Sequence, residues 1–190
     1  DEEKQFLSSS VEKSMEKSWK YLVNQYPWAC FLSEGAFKRV YKVWNVSTQA
    51  IEAMSVMDVN LIESTGNKKV VATELAVSAV LSSLVRRSIC PNFVLTRRVF
   101  TCPHEPPPTH WGNATNKKPK GSSYVPGNRC KKPREPSQNK SGKFQYMRME
   151  LCNEGDAEEY IKRLPDERLD PHDARQMLFQ IAFGLHVAAD

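Results

Sequence analysis

The sequence predicts an α+β fold in which five strands and one long helix form a lobe, with further helices before and after it. Three observations carry this expectation. Leu32-Ser33-Glu34-Gly35-Ala36-Phe37-Lys38-Arg39-Val40-Tyr41-Lys42-Val43 reads as strand, tight turn and strand, and Glu52 to Asp58 reads as a third strand. A run from about Lys69 to Arg87 puts Leu75, Val77, Val80, Leu81, Leu84 and Val85 on one side of a helix. Phe93 to Phe100 and Phe144 to Leu151 then supply two more strands.

Taken in order, residues 4 to 25 carry a helical pattern, with Phe6, Leu7, Val11, Met15, Trp19, Leu22 and Val23 recurring at three- and four-residue steps. Pro27 stops this helix, and Trp28 to Leu32 begins the first strand. A polar turn at Glu63-Ser64-Thr65-Gly66-Asn67 separates the third strand from the long helix, which Cys90-Pro91-Asn92 ends. Asp156 to Leu164 reads as a short helix. Asp170-Pro171-His172-Asp173 opens a longer one, because aspartate and proline are start signals, and Met177, Leu178, Ile181, Leu185 and Val187 form its apolar face. The units are therefore an amphipathic helix at 1–27, a strand-rich lobe at 28–152 and a helical part at 153–190.

Charge is unevenly spread. The chain carries +5 overall, yet residues 103–143 hold nine Lys/Arg against Glu105 and Glu135, with eight of the twelve prolines and almost no aliphatic residues. Such a segment buries too little apolar surface to offset its ordering entropy, so 103–143 is expected to be a disordered basic insertion between two paired strands. No apolar run is long enough to span a membrane, and the N-terminus lacks the basic-then-apolar order of a signal peptide. The five dispersed cysteines form no Cys-x-x-Cys pair and fit reduced thiols in a cytoplasmic or nuclear setting. The chain begins without methionine, which suggests a fragment or processed product.

Five sequence features, in order and in register, resemble the protein kinase domain. Gly35 lies twenty residues before Ser55, as the second glycine of a kinase loop precedes the strand lysine of Val-Ala-Ile-Lys, and Glu74 lies nineteen further on, where the family has the helix glutamate. Cys90-Pro91-Asn92-Phe93-Val94 is similar to the family's His-Pro-Asn-Ile-Val turn. Tyr146-Met147-Arg148-Met149-Glu150-Leu151-Cys152-Asn153-Glu154-Gly155-Asp156 is similar to its fifth strand and hinge, and Gln180-Ile181-Ala182-Phe183-Gly184-Leu185 to the helix before its catalytic loop. The resemblance implies a kinase-like N-lobe, an antiparallel five-stranded sheet plus an αC-type helix, followed by the first helices of the C-lobe. It implies ATP as the bound nucleotide, Mg2+ in the complete domain, and phosphoryl transfer to serine or threonine of a protein substrate. Leu32, Gly35, Val40, Ala53, Ser55, Met149, Glu150, Cys152 and Asp156 would form the nucleotide site. Ala53 and Val40 would sandwich adenine, Met149 would be the gatekeeper, the backbone of Glu150 and Cys152 would bond the adenine edge, and Asp156 would sit near the ribose.

The departures from the family are as informative. Serine stands at position 55, where the strand lysine belongs, and Ser33 and Lys38 stand at the first and third glycine positions of the loop. The helix is long: the stretch from Glu74 to Pro91 exceeds the family's usual spacing by roughly two turns. Gly35-Ala36-Phe37-Lys38-Arg39-Val40-Tyr41 resembles the loop of the with-no-lysine kinases, in which a loop lysine reaches the vacated space. That resemblance makes Lys38 and Glu74 the catalytic pair, with Lys42, on the same strand face by even spacing, as the fallback. The chain ends before any His-Arg-Asp or Asp-Phe-Gly motif, so by itself it is expected to be inactive, and the alternative is a pseudokinase acting as a binding scaffold. Isolated, it is also expected by that resemblance to expose the apolar face that packs on the rest of the C-lobe in the family, and to be poorly soluble.

Other chemistries find little support. Cys102, His104, His110 and Cys130 match no compact zinc spacing, and neither a Walker loop nor a nucleophile elbow is present. The clusters Lys117-Lys118-Pro119-Lys120 and Arg129-Cys130-Lys131-Lys132-Pro133-Arg134 could make a weak nucleic-acid contact. With only Trp111 and Tyr124 available for stacking, a solvated loop is the preferred reading. Salt-sensitive RNA binding that vanishes when the basic segment is removed is the outcome that would reverse this preference.

Overall fold

The computed structural model describes residues 17–106, 108–117, 141–153 and 155–189. The elements are α1 (Trp19–Gln25), β1 (Trp28–Glu34), β2 (Lys38–Asn45), β3 (Ala50–Asp58), α2 (Val59–Ser64), α3 (Lys68–Arg86), β4 (Thr96–His104), α4 (Pro108–Trp111), β5 (Ser141–Met149), α5 (Ala157–Lys162) and α6 (Pro171–Ala189), with a 3-10 turn at Pro165–Glu167. The sheet is antiparallel throughout, in the order β1-β2-β3-β5-β4. The α+β class and the five-stranded antiparallel sheet are as the sequence predicted.

Because strand side chains alternate between faces, the sheet buries two different sets of residues. One face carries Phe31, Tyr41, Val43, Met54, Val56, Phe100, Phe144 and Tyr146 and is covered by Leu22 and Tyr26 of the α1 segment and by Trp111 of α4. Its rings are in contact: Tyr26 and Tyr146 each stack on Phe100, and Trp111 meets Tyr26, Tyr41 and Tyr146 edge-on. The other face carries Met57 and Met147 and packs against Ile62 of α2 and Val71 and Leu75 of α3.

Helix ends follow local chemistry. Ser18 caps α1 by accepting from the Tyr21 amide at 3.3 Å, Asp58 caps α2 through the Leu61 amide, and Asp156 caps α5 through the Glu159 amide. Asp170 accepts from the amides of His172 and Asp173 at the start of α6. Of the predicted N-terminal helix, residues 4–16 lie outside the described residues.

Three expectations are corrected. Helix α2 was not foreseen, since its six residues are too few to show periodicity. The last two strands were placed a few residues off: β4 runs to His104 and β5 starts at Ser141, with irregular pairing that still brings His104 opposite Ser141. Phe93 is outside the strand and instead faces Gly184 of α6, where an added Cβ would meet the phenylalanine ring at 3.6 Å.

The disordered insertion at 103–143 is corrected at both ends. Pro103 and His104 continue β4, Pro106 and Trp111 are buried, and the Lys117 carbonyl accepts from the Phe31 amide of β1 at 3.2 Å. The connection thus passes beneath the sheet from β4 to β1, anchored by Trp111, whose large side chain joins the aromatic core. Residues 118–140, with most of the basic charge, lie outside the described residues.

Glu52 of β3 and Arg148 of β5 form a buried ion pair on the α1 face, Nε to Oε2 at 2.8 Å and Nη2 to Oε1 at 2.9 Å. Asn45 and Thr48 donate to the same carboxylate, and Gln25 of α1 donates to Asn45 and Ser47. Burial alone would raise the Glu52 carboxyl, but the bonds from Arg148, Asn45 and Thr48 outweigh it and hold the group below its ordinary 4.5. Arg148→Met should therefore destabilise the fold by about 1.5–3 kcal/mol in urea unfolding at pH 7, since it removes charge-assisted hydrogen bonds from a buried carboxylate that keeps Asn45, Thr48 and, at 3.9 Å, Arg97. The unfolded chain takes up the Glu52 proton at a higher pH than the folded one. The contribution of Glu52 is thus fully present above about pH 5 and is lost as pH falls below 4.5 and through the folded pKa, and Glu52→Gln should flatten that part of the acid-stability profile.

Candidate functional site

The helix-covered face of the sheet gathers most of the residues singled out from sequence. Register pairs Lys38 with Met57, Val40 with Ser55 and Lys42 with Ala53 across β2 and β3, and Ala53 with Met149 across β3 and β5. Lys38, Val40, Lys42, Ala53, Ser55 and Met149 therefore share one face. Ala53 is buried, Val40 is half-buried, and Met149 packs against the Met57–Met147 cluster. Leu32 is exposed at the irregularity of β1 between Phe31 and Ser33.

The Lys38 ammonium is bonded to the Glu74 carboxylate of α3, and both side chains remain about two-fifths exposed. The pair joins the end of the β1–β2 hairpin to the long helix, on the face that also carries Ser55. Ser55 itself is buried, and its Oγ has no hydrogen-bond partner. An orphaned buried hydroxyl costs about 1–3 kcal/mol, so this position is chemically unsatisfied within the described residues. Lys42, the fallback, forms no ion pair among the described residues.

The hairpin turn is closed by the Gly35 amide donating to the Lys38 carbonyl at 2.8 Å. Gly35 does not need a left-handed backbone, and a Cβ there would meet only that carbonyl oxygen, at 3.9 Å. Phe37, at the turn, packs down onto the Met57, Ile62, Val71 and Met147 cluster.

At the other end of the face, Glu150 is held on both sides. Its amide donates to the Leu95 carbonyl and its carboxylate accepts from the Leu95 amide, each at 2.9 Å. Cys152 is exposed with a free thiol. Asp156 is exposed, with one carboxylate oxygen committed to the α5 cap. Its first structural task is thus to start a helix.

Sequence reasoning missed the Glu52–Arg148 pair, the Glu150–Leu95 clamp and the burial of Ser82 and Trp111. A signal for the first was present. Glu52 has the parity of Met54 and Val56, and Arg148 that of Tyr146 and Phe144, so both charges had to be buried and hence paired. Trp111, named as a stacking residue for nucleic acid, is buried in the core and unavailable for that role.

Among the described residues, Asp170, His172 and Asp173 are the one set of three metal-ligating side chains close together, exposed at the start of α6 and away from this face. No helix of the described residues is long and apolar enough to cross a membrane. No protein-family model and no curated protein matches the chain.

An exposed ion pair adds little to stability. Lys38→Met should therefore change the unfolding free energy by less than about 1 kcal/mol in urea titration, which separates any loss of ligand binding from loss of fold.

Proposed function

We propose that the chain is the nucleotide-holding part of a protein kinase domain, binding ATP for phosphoryl transfer to serine or threonine hydroxyls of a protein substrate. The observation that carries this reading is the Lys38–Glu74 ion pair. A lysine on a glycine-bearing hairpin and a glutamate on the long helix meet beside a strand position that has lost its own lysine.

The chemistry follows from charge and shape. Adenine needs an apolar slot, and Ala53, Val40 and Met149 offer one on a single face. A triphosphate needs a cation nearby, and an ammonium about 4 Å from a phosphate oxygen gains about 4 kcal/mol at the effective dielectric of a protein surface. Lys38 supplies that charge from β2, and Glu74 holds it in place. The orphaned Ser55 hydroxyl lies one strand over, opposite Val40, as a further polar group of this site. Magnesium is expected with the triphosphate, yet the described residues offer no set of three ligands for it on this face.

A second reading, a pseudokinase scaffold that holds partners without nucleotide, is favoured by Phe37. Its ring packs onto the helix-face cluster and occupies room above the sheet. α6 adds to this reading with an exposed apolar side at Leu178, Phe179, Ile181 and Leu185.

Titration calorimetry with ATP decides between the two. Binding that is lost by roughly 100-fold or more in Lys38→Met, about 2.7 kcal/mol, supports the kinase reading. Equal affinity in the variant removes Lys38 from the site. Absence of binding to the unaltered chain favours the scaffold.

A further inference from the structure

Helix α3 is long but mostly exposed: Val70, Val77 and Val80 all face solvent, and its buried residues are Val71 near one end and Ser82 near the other. Val71 is held by the apolar cluster. Ser82 is a polar residue with no exposed surface, and hydrogen bonding accounts for it. Its hydroxyl donates to the Ser78 carbonyl at 2.7 Å and accepts from the Thr96 amide at 2.8 Å. One turn on, the Arg86 guanidinium donates to the Thr96 carbonyl. Both backbone groups of Thr96 are thus captured by α3. Its neighbour Leu95 has both backbone groups captured by Glu150, and Thr96 itself pairs in register with Met149.

We propose that Ser82 is a positioning residue for the Lys38–Glu74 pair, and that Leu95 and Thr96 tie the placement of that pair to the adenine end of the face. This rests on the nucleotide-binding reading above. A helix held at two points is oriented by both. Glu74 stands eight residues from Ser82, about 12 Å along the axis. With the Ser82 anchor released, Val71 is the remaining pivot, three residues or about 4.5 Å from Glu74, and a tilt of about 13° around it would carry Glu74 about 1 Å from its place. An error of that size in a binding or catalytic group is enough to cost up to about 100-fold. The two turns by which α3 exceeds the length expected for it then have a use, since they carry Ser82 and Arg86 to the first residue of β4.

The test compares ATP with adenosine, which lacks phosphates, by calorimetry on the full chain. Ser82→Ala should weaken ATP by roughly tenfold and adenosine by less than about twofold, while Ser82→Thr, which keeps the hydroxyl, should retain the original ratio. Arg86→Met removes the second clamp at an exposed position and should shift the ratio the same way if the alanine variant fails to fold. Equal weakening of both ligands, or of neither, overturns the positioning role while leaving the nucleotide site intact. Should the unaltered chain bind neither ligand, the nucleotide-binding reading fails and the link to adenine fails with it. The ion-pair part is then decided by backbone amide spectra of nitrogen-labelled protein without ligand. Shifted Gly35 and Lys38 resonances in Ser82→Ala support it, and unchanged ones refute it.

Discussion

The buried pair of Glu52 and Arg148 is the constraint on which the arrangement of this sheet turns. Each charge stands one residue before a residue of the candidate site, Glu52 before Ala53 and Arg148 before Met149, and those two are register partners. A slip of one residue between β3 and β5 would separate the charges and move Ala53 and Met149 to opposite faces. Burying the pair carries a desolvation cost, so its contribution is better described as specificity of register than as net stability. Asn45, Thr48 and Gln25 complete the hydrogen bonding of the carboxylate and extend the network to α1.

The two faces of the sheet are held by different physics. The α1 face is an aromatic core, in which Phe100, Tyr26, Tyr146, Tyr41 and Trp111 meet in stacked and edge-on pairs. The helix face has a small apolar cluster, an orphaned serine hydroxyl and a half-exposed ion pair. An orphaned hydroxyl does not by itself distinguish this face, since the Tyr26 hydroxyl in the aromatic core also has no partner among the described residues; what distinguishes it is the half-exposed ion pair. Helix α3 fits the same picture, being anchored at its ends and open along its length.

Much of the fold was legible because hairpins, helix starts and alternation are local. β2, β3, α3 and α6 fall close to the predicted positions, since Gly35, Asp170-Pro171 and the spacing of valine and leucine act over a few residues. The segment at 103–117 was misread for a related reason. Its composition is that of a solvated loop, and only the space beneath the sheet explains why Trp111 and Pro106 are buried. The candidate site was legible in part: Lys38 and Glu74 were singled out through a resemblance and do meet, whereas the clamps at Leu95 and Thr96 left no mark in the local pattern.

Residue order alone thus specified most of the strands and the longer helices, and the alternation that puts Lys38, Val40 and Lys42 on one face of β2. These depend on periodicity and backbone preference, which act between near neighbours. Only the folded chain decided that Arg148 meets Glu52, that Thr96 is gripped by Ser82 and Arg86, and that the basic connection starts beneath the sheet. Such contacts join residues far apart in sequence, and they form only once strand order, register and helix placement have been fixed together.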